Sequence, residues 1–336
     1  MEEKVFKIIS IDGGGIKGLY SSTILEHLED KFDCYISDYF DMICGTSTGG
    51  LIALAISLKI SANQISNFYI NHGSEIFPRR SKINNWYRQI IGGGKFSDQA
   101  LRKALEEVFG NSKIGESNNL LCIPSYSITD ARPWIFKFDH EEGELSRDNT
   151  AKYVDVALAT SAAPTFFPLA EIDYYDNKQF IDGGVWANNP TLCGLIEALK
   201  YFVGPNKEFQ KVDILSISSL SHTGGKPTGL KREMGFIDWG NDLFETTLAG
   251  QNLFTDYFMT KINEIGEVPV RYTRIPSNDI SSEQESLIQL DVATPDSINL
   301  IRGKGNDMGE IYKKKEEIKA YFKNLKNYNT QEHGKL

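Results

Sequence analysis

The strongest constraint on the fold is a repeated order of elements near the amino terminus. Val5 to Ile11 is a short β-branched run that breaks into Asp12-Gly13-Gly14-Gly15, and Leu19, Ile24, Leu25 and Leu28 then recur at helical spacing through Lys31. The order repeats at once: Tyr39 to Cys44 reads as a strand, Gly45 to Gly50 as a turn and Leu51 to Lys59 as an apolar helix. A βαβα opening predicts a parallel sheet covered by helices on both faces. Further along, the spacing predicts a helix from Ser97 to Phe109, with Ser97 as N-cap and Leu101, Leu105 and Val108 on its inner face. Strands are expected at 120–129, 134–138, ending near Asp182, and at 212–218, and helices at 153–161, 191–202 and 306–324. The chain has 336 residues, enough for two domains or one large α/β domain. No linker divides it, so one domain over 1–336 is expected, with a motif-bearing part at 7–204, a less typical part at 205–325 and a polar tail at 326–336.

Charge and cysteine usage narrow the function. With 36 Lys and Arg against 45 Asp and Glu, the net charge is −9, which disfavours a general DNA or RNA binder. Cys34, Cys44, Cys122 and Cys193 form no C-x-x-C pair and read as reduced thiols, so neither a disulfide scaffold nor a zinc ribbon is indicated. No secretory leader or membrane-spanning run is evident, and a cytoplasmic location is expected.

Two glycine turns carry chemistry. Gly45-Thr46-Ser47-Thr48-Gly49 fits G-x-S-x-G, in which a serine stands on a tight strand-to-helix turn and the helix dipole favours negative charge beside it. Gly13-Gly14-Gly15-Ile16-Lys17-Gly18 fits G-x-G-x-x-G, yet the strand that should end in a ribose-binding acid runs into the serine turn instead. Asp12 would also repel a pyrophosphate unless its charge were compensated. Consecutive glycine amides at a helix start suit an oxyanion hole better. Lys17 reads as a solvated first-turn residue. For the base, His222 alone of five histidines follows a strand after the serine in triad order, whereas Asp182, in Ile181-Asp182-Gly183-Gly184, stands at a strand end on the expected common rim. Spacing leaves both open.

Taken together, these segments resemble the patatin-like phospholipase family. Asp12 to Gly18 matches its oxyanion loop, Gly45 to Gly49 its nucleophile elbow and Asp182-Gly183-Gly184 its aspartate motif; Ala159 to Pro168 and Val185 to Pro190 resemble the flanking blocks. The resemblance implies a three-layer α/β/α patatin-like fold with a mainly parallel sheet, and a lipid acyl hydrolase with a Ser47–Asp182 dyad, an acyl-serine intermediate and no catalytic cofactor or metal. The amides of Gly13, Gly14, Gly15, Ile16 and Gly18 would form the oxyanion loop. His222 in a triad, or a non-catalytic nucleotide-sensing module or pseudoenzyme on the same fold, is the alternative. The chain also resembles bacterial members that are switched on by cyclic dinucleotides in antiphage defence, which implies a cyclic dinucleotide ligand and a phospholipid substrate at the inner membrane surface, and allows a homo-oligomer. Between Arg79 and Lys103, seven cations stand against Asp98, a local +6. Arg79, Arg80, Lys82, Trp86 and Arg88 there suit a lid, a membrane contact or an anionic activator site, or equally a surface insertion whose aromatics pack inward.

Overall fold

Eight strands form one sheet in the order β5-β6-β3-β2-β1-β7-β8, with β4 also paired to β3. The computed structural model describes residues 4–78, 95–221, 228–235, 239 and 242–333; Arg79, Arg80, Lys82, Trp86, Arg88 and His222 lie outside them. The strands are β1 Val5–Ile11, β2 Met42–Gly45, β3 Leu120–Ser127, β4 Arg132–Lys137, β5 Ala170–Ile172, β6 Lys178–Asp182, β7 Lys211–Ile217 and β8 Val270–Ile275. Five of them, β3-β2-β1-β7-β8, run parallel. β1 is central and almost wholly buried, which explains why its sequence is apolar without alternation.

Helices α1 (Gly18–Phe32), α2 (Thr48–Ser57) and α3 (Ala62–Ile76) follow the first two strands, with α4 (Gln99–Phe109) packed on α3 and on α5 (Tyr153–Ser161). Every residue of α2 is buried beneath its neighbours. α3 begins on a reciprocal cap: the Ser61 hydroxyl accepts the Gln64 N–H at 3.3 Å, and Gln64 Oε1 accepts the Ser61 N–H at 3.1 Å. After β6 come α6 (Gly184–Ala187) and α7 (Thr191–Glu197), the latter against β1, β2, β3 and β7. The carboxyl-terminal third adds α8 (Asp242–Ile265) and α9 (Pro295–Tyr312), which packs along α1. No helix among the described residues is long and apolar enough to cross a membrane.

Several sequence expectations need correction. α4 starts at Gln99 with Asp98 in the cap position, while the Ser97 hydroxyl accepts the Gln99 N–H at 3.2 Å from one residue earlier. Leu101 and Leu105 are buried as expected, but Val108 is 36% exposed. The expected helix at 306–324 instead begins at Pro295, capped by Thr294, and breaks at Lys313. The polar tail is anchored, because Tyr328 and Thr330 are buried and Asp41 Oδ1 accepts the Asn327 and Tyr328 amides at 2.7 and 2.8 Å.

Candidate active site

The nucleophile elbow is built by steric exclusion. Ser47 has φ 54° and ψ −126°, a conformation that a side chain rarely adopts and that marks a held, strained turn. A Cβ on Gly45 would come within 2.1 Å of the Gly49 carbonyl oxygen, so only glycine lets the chain reverse this tightly into α2. Thr160 then fixes the turn: its hydroxyl oxygen accepts the Ser47 N–H at 3.0 Å while its proton goes to the Pro124 carbonyl at 2.6 Å. The Thr46 hydroxyl donates to the Ala187 carbonyl at 2.6 Å, tying the elbow to the segment after Asp182.

Asp182 arrives from a direction that differs from the expectation. β6 is antiparallel to β3, so Asp182 does not belong to the common rim of parallel strand ends. Cys122 of β3 pairs with both β2 and β4, whereas Ser125 to Ser127 pair with β4 and β6. A strand has two hydrogen-bonding edges, so β2 and β6 lie end to end along the same edge of β3. β2 stops, its chain turns away through Ser47, and β6 descends into the vacated lane and stops at Asp182. The expected meeting of Ser47, the glycine turn and Asp182 does occur, since Gly14, Gly15, Ser47 and Asp182 line one pocket.

The electrostatics of this meeting are specific. Burial pushes the Asp182 carboxyl up to about 7, against the lowering effects of the Gly184 N–H, which donates to its Oδ1 at 2.7 Å, and of the nearby Ser47 hydroxyl. A carboxylate with that affinity for protons can take one from a serine near neutral pH. Of the described histidines, His27 faces Glu310 at 3.3 Å and His140 is buried against Glu197 at 3.2 Å; neither these nor His72 line the pocket.

The glycine loop divides its amides into committed and available donors. Gly13 N–H donates to the Asn188 carbonyl at 3.0 Å, Ile16 N–H to Leu290 at 2.9 Å, and the Gly18 amide to the carbonyls of Gly15 and Ile16. Gly14 and Gly15 keep amides with no partner among the described residues. Gly15 has φ +60°, and a Cβ there would stand 2.1 Å from the Leu290 carbonyl oxygen. Lys17 is buried rather than solvated, and burial lowers its pKa with only Glu245 opposing. Asp12 is also buried, with its charge compensated: Arg274 of β8 donates to it at 2.5 Å and, through its other amino group, to Ser216 Oγ at 2.6 Å.

Sequence reasoning did not single out Asn188, Thr160, Leu290 or Arg274. Asn188 is buried with Oδ1 unpartnered, its amide nitrogen donates to Asn252 Oδ1 at 3.0 Å, and it lines the pocket between Gly13 and Gly184. Its position just after the Asp182 block was the one available signal. Leu290 and Arg274 reach the site only through tertiary packing. The remaining walls include Leu51, Ile76, Phe77, Phe166, Phe244 and Leu248, and the space they line is mostly apolar. Among the described residues there is no cluster of three or more His, Cys, Asp or Glu side chains able to hold a metal.

Fold and site together define a hydrolase with a serine elbow opening into an apolar pocket. Residues 9–192 match the family model described as patatin-like phospholipase, and the chain belongs to that family of lipid hydrolases. Over 304 residues it is 31% identical to a cGAMP-activated phospholipase of Pseudomonas aeruginosa (strain BWHPSA011 / Pa011), covering 90% of this chain and 87% of that one. A protein of the same description from Vibrio cholerae is 28% identical over 347 residues, covering 94% of each chain. Patatin-like protein 2 of rice is 35% identical over 229 residues, 61% of this chain and 56% of that protein.

Proposed function

We propose that the protein is a phospholipase that cleaves acyl esters of membrane lipids through Ser47 and Asp182. The observation that carries this reading is the convergence of Ser47 on its strained elbow, the buried Asp182 carboxyl and the Gly14–Gly15 loop on one apolar pocket. Asp182 takes the hydroxyl proton as Ser47 Oγ bonds to the acyl carbon. The amides of Gly14 and Gly15 receive the developing oxyanion, a narrower set than the five loop residues expected from sequence. Collapse breaks the ester bond, the lysolipid oxygen leaves with the proton from Asp182, and the acyl group stays on Ser47. A water that gives its proton to Asp182 then attacks the acyl-serine, and Ser47 leaves with that proton as the fatty acid is released. No step uses a cofactor or metal. The apolar walls suit an acyl chain, and the enzyme would work peripherally on the inner membrane.

The bacterial relatives described as cGAMP-activated support a cyclic dinucleotide as activator, with high activity only when it is bound. Labelling with a fluorophosphonate ester, with and without cGAMP, tests the core of this proposal. Wild-type protein is expected to label at Ser47 and Ser47→Ala not at all, with labelling increased by cGAMP. A wild-type protein that stays unlabelled in both conditions would be a nucleotide-sensing module or pseudoenzyme and would overturn it. His222→Ala is expected to retain turnover, which separates the dyad from a triad.

A further inference from the structure

A second apolar chamber lies behind the reactive pocket, and the two share a wall. Leu51 of α2 with Phe68 and Tyr69 of α3 line both spaces. Past them, Ala55, Ile65, Leu105 and Val108 from α2, α3 and α4 surround about 750 Å³.

The three wall residues are not equally fixed. Leu51 belongs to the fully buried α2. Tyr69 is buried, with its hydroxyl paired to Thr48 Oγ1 and donating to the Thr48 carbonyl at 3.2 Å, one residue from the nucleophile. Phe68 is only partly buried and is held by ring contacts, 5.5 Å from Tyr69 and 5.3 Å from His72. Of the three, Phe68 is the side chain that can turn without breaking a hydrogen bond or leaving a fully buried helix.

Chemistry selects the occupant. The charged residue in the lining is Glu107, a carboxylate that disfavours a phosphate headgroup or a nucleotide. Apart from Gln64 the other walls are apolar, and Leu51, Phe68 and Tyr69 also line the space at Ser47, so the fitting ligand is a neutral, flexible chain already bound there. Resting on the acyl hydrolase reading above, we propose that the second chamber receives the distal methylenes of the acyl chain and that Phe68 sets how much of the chain enters.

The test is the ratio of kcat/KM for p-nitrophenyl palmitate to that for p-nitrophenyl butyrate, in one detergent, with and without cGAMP. Val108→Trp fills the far chamber from a partly exposed position and is expected to lower the ratio about tenfold or more, since each methylene denied burial costs roughly fourfold. Phe68→Ala opens the wall and is expected to raise it, with thermal unfolding of both variants recorded alongside. An active Val108→Trp enzyme whose ratio matches wild type overturns the chamber's role, and an unchanged ratio in Phe68→Ala overturns the role of Phe68. Failure of wild type to hydrolyse either ester in either condition sinks the hydrolase reading itself, a result distinct from an unchanged ratio.

Discussion

Asp182 is ionised in the folded protein only where the pH rises above about 7, because burial disfavours its charge. In the proposed mechanism its carboxylate is the form that accepts the serine proton, so kcat/KM is expected to climb with pH through about 7 and then level, as a pH profile of ester hydrolysis would record. Asp182→Asn should lower kcat by about 10³. The same shift acts on stability with a defined sign. Unfolding returns the carboxyl to its ordinary value near 3.8, so the folded state holds the proton more tightly and loses relative stability as pH rises from about 4 to about 7. Asparagine does not titrate, so Asp182→Asn is expected to raise the unfolding temperature at pH 8 and change it little at pH 4, as thermal melts at the two pH values would reveal. Ser47 and the glycines were legible in sequence because they occupy turns that few residue types can make, whereas spacing left Asp182 open beside His222 and the family resemblance singled it out. Thr160 and Asn188 were not legible, since a buried hydroxyl or amide acquires its role from partners far away in the chain.

The elements around the glycine loop are held by one buried ion pair. Arg274 on β8 neutralises Asp12 at the end of β1, across a sheet position occupied by Ser216 of β7. Removing one partner leaves an uncompensated buried charge, at a cost of about 3–5 kcal/mol. Arg274→Met is therefore expected to shift the urea midpoint strongly downward, and adding Asp12→Asn should recover much of the loss. β1, β2, β3 and β7 were readable as short apolar runs and α5 as an Ala-rich run ahead of Pro164, spanning Tyr153–Ser161 as expected, whereas β8 was not predicted. α8 was not, because Leu253, Phe254 and Tyr257 lie on its exposed side and blur the pattern of a buried stripe. The direction of β6 was hidden for another reason. A strand's own sequence carries its burial pattern, but whether it runs parallel depends on the neighbour it pairs with.

Across the whole molecule, one site gathers residues from Asp12 at one end of the sequence to Leu290 near the other. The carboxyl-terminal segment closes this arrangement on the side away from the elbow. Phe322 stacks on Phe32 at 4.3 Å, and the Asn327 and Tyr328 amides satisfy Asp41, whose other oxygen accepts the Lys7 N–H at 2.7 Å. Deleting residues 326–336 is expected to destabilise the protein by a few kcal/mol, since it strands a buried carboxylate; a denaturant melt of the truncated chain checks this. The composition gave no hint of this anchoring, because the polar residues there act on partners far away in the chain, the Asn327 and Tyr328 amides on Asp41 and the Thr330 hydroxyl on the Ser117 carbonyl at 2.9 Å.

The end-to-end meeting of β2 and β6 makes β3 a ruler for the reaction. Cys44 is opposite Cys122 and Asp182 is opposite Ser125, so the gap between Ser47 and Asp182 is counted in residues of a third strand that supplies neither. One residue inserted in β3 between those positions would pull the two strand ends apart by about 3.3 Å. In the proposed mechanism, that separation takes Ser47 out of reach of Asp182 while leaving both side chains intact. Hydrolysis can thus be lost through a change of spacing alone, and a sequence that keeps every catalytic residue can encode an inert protein.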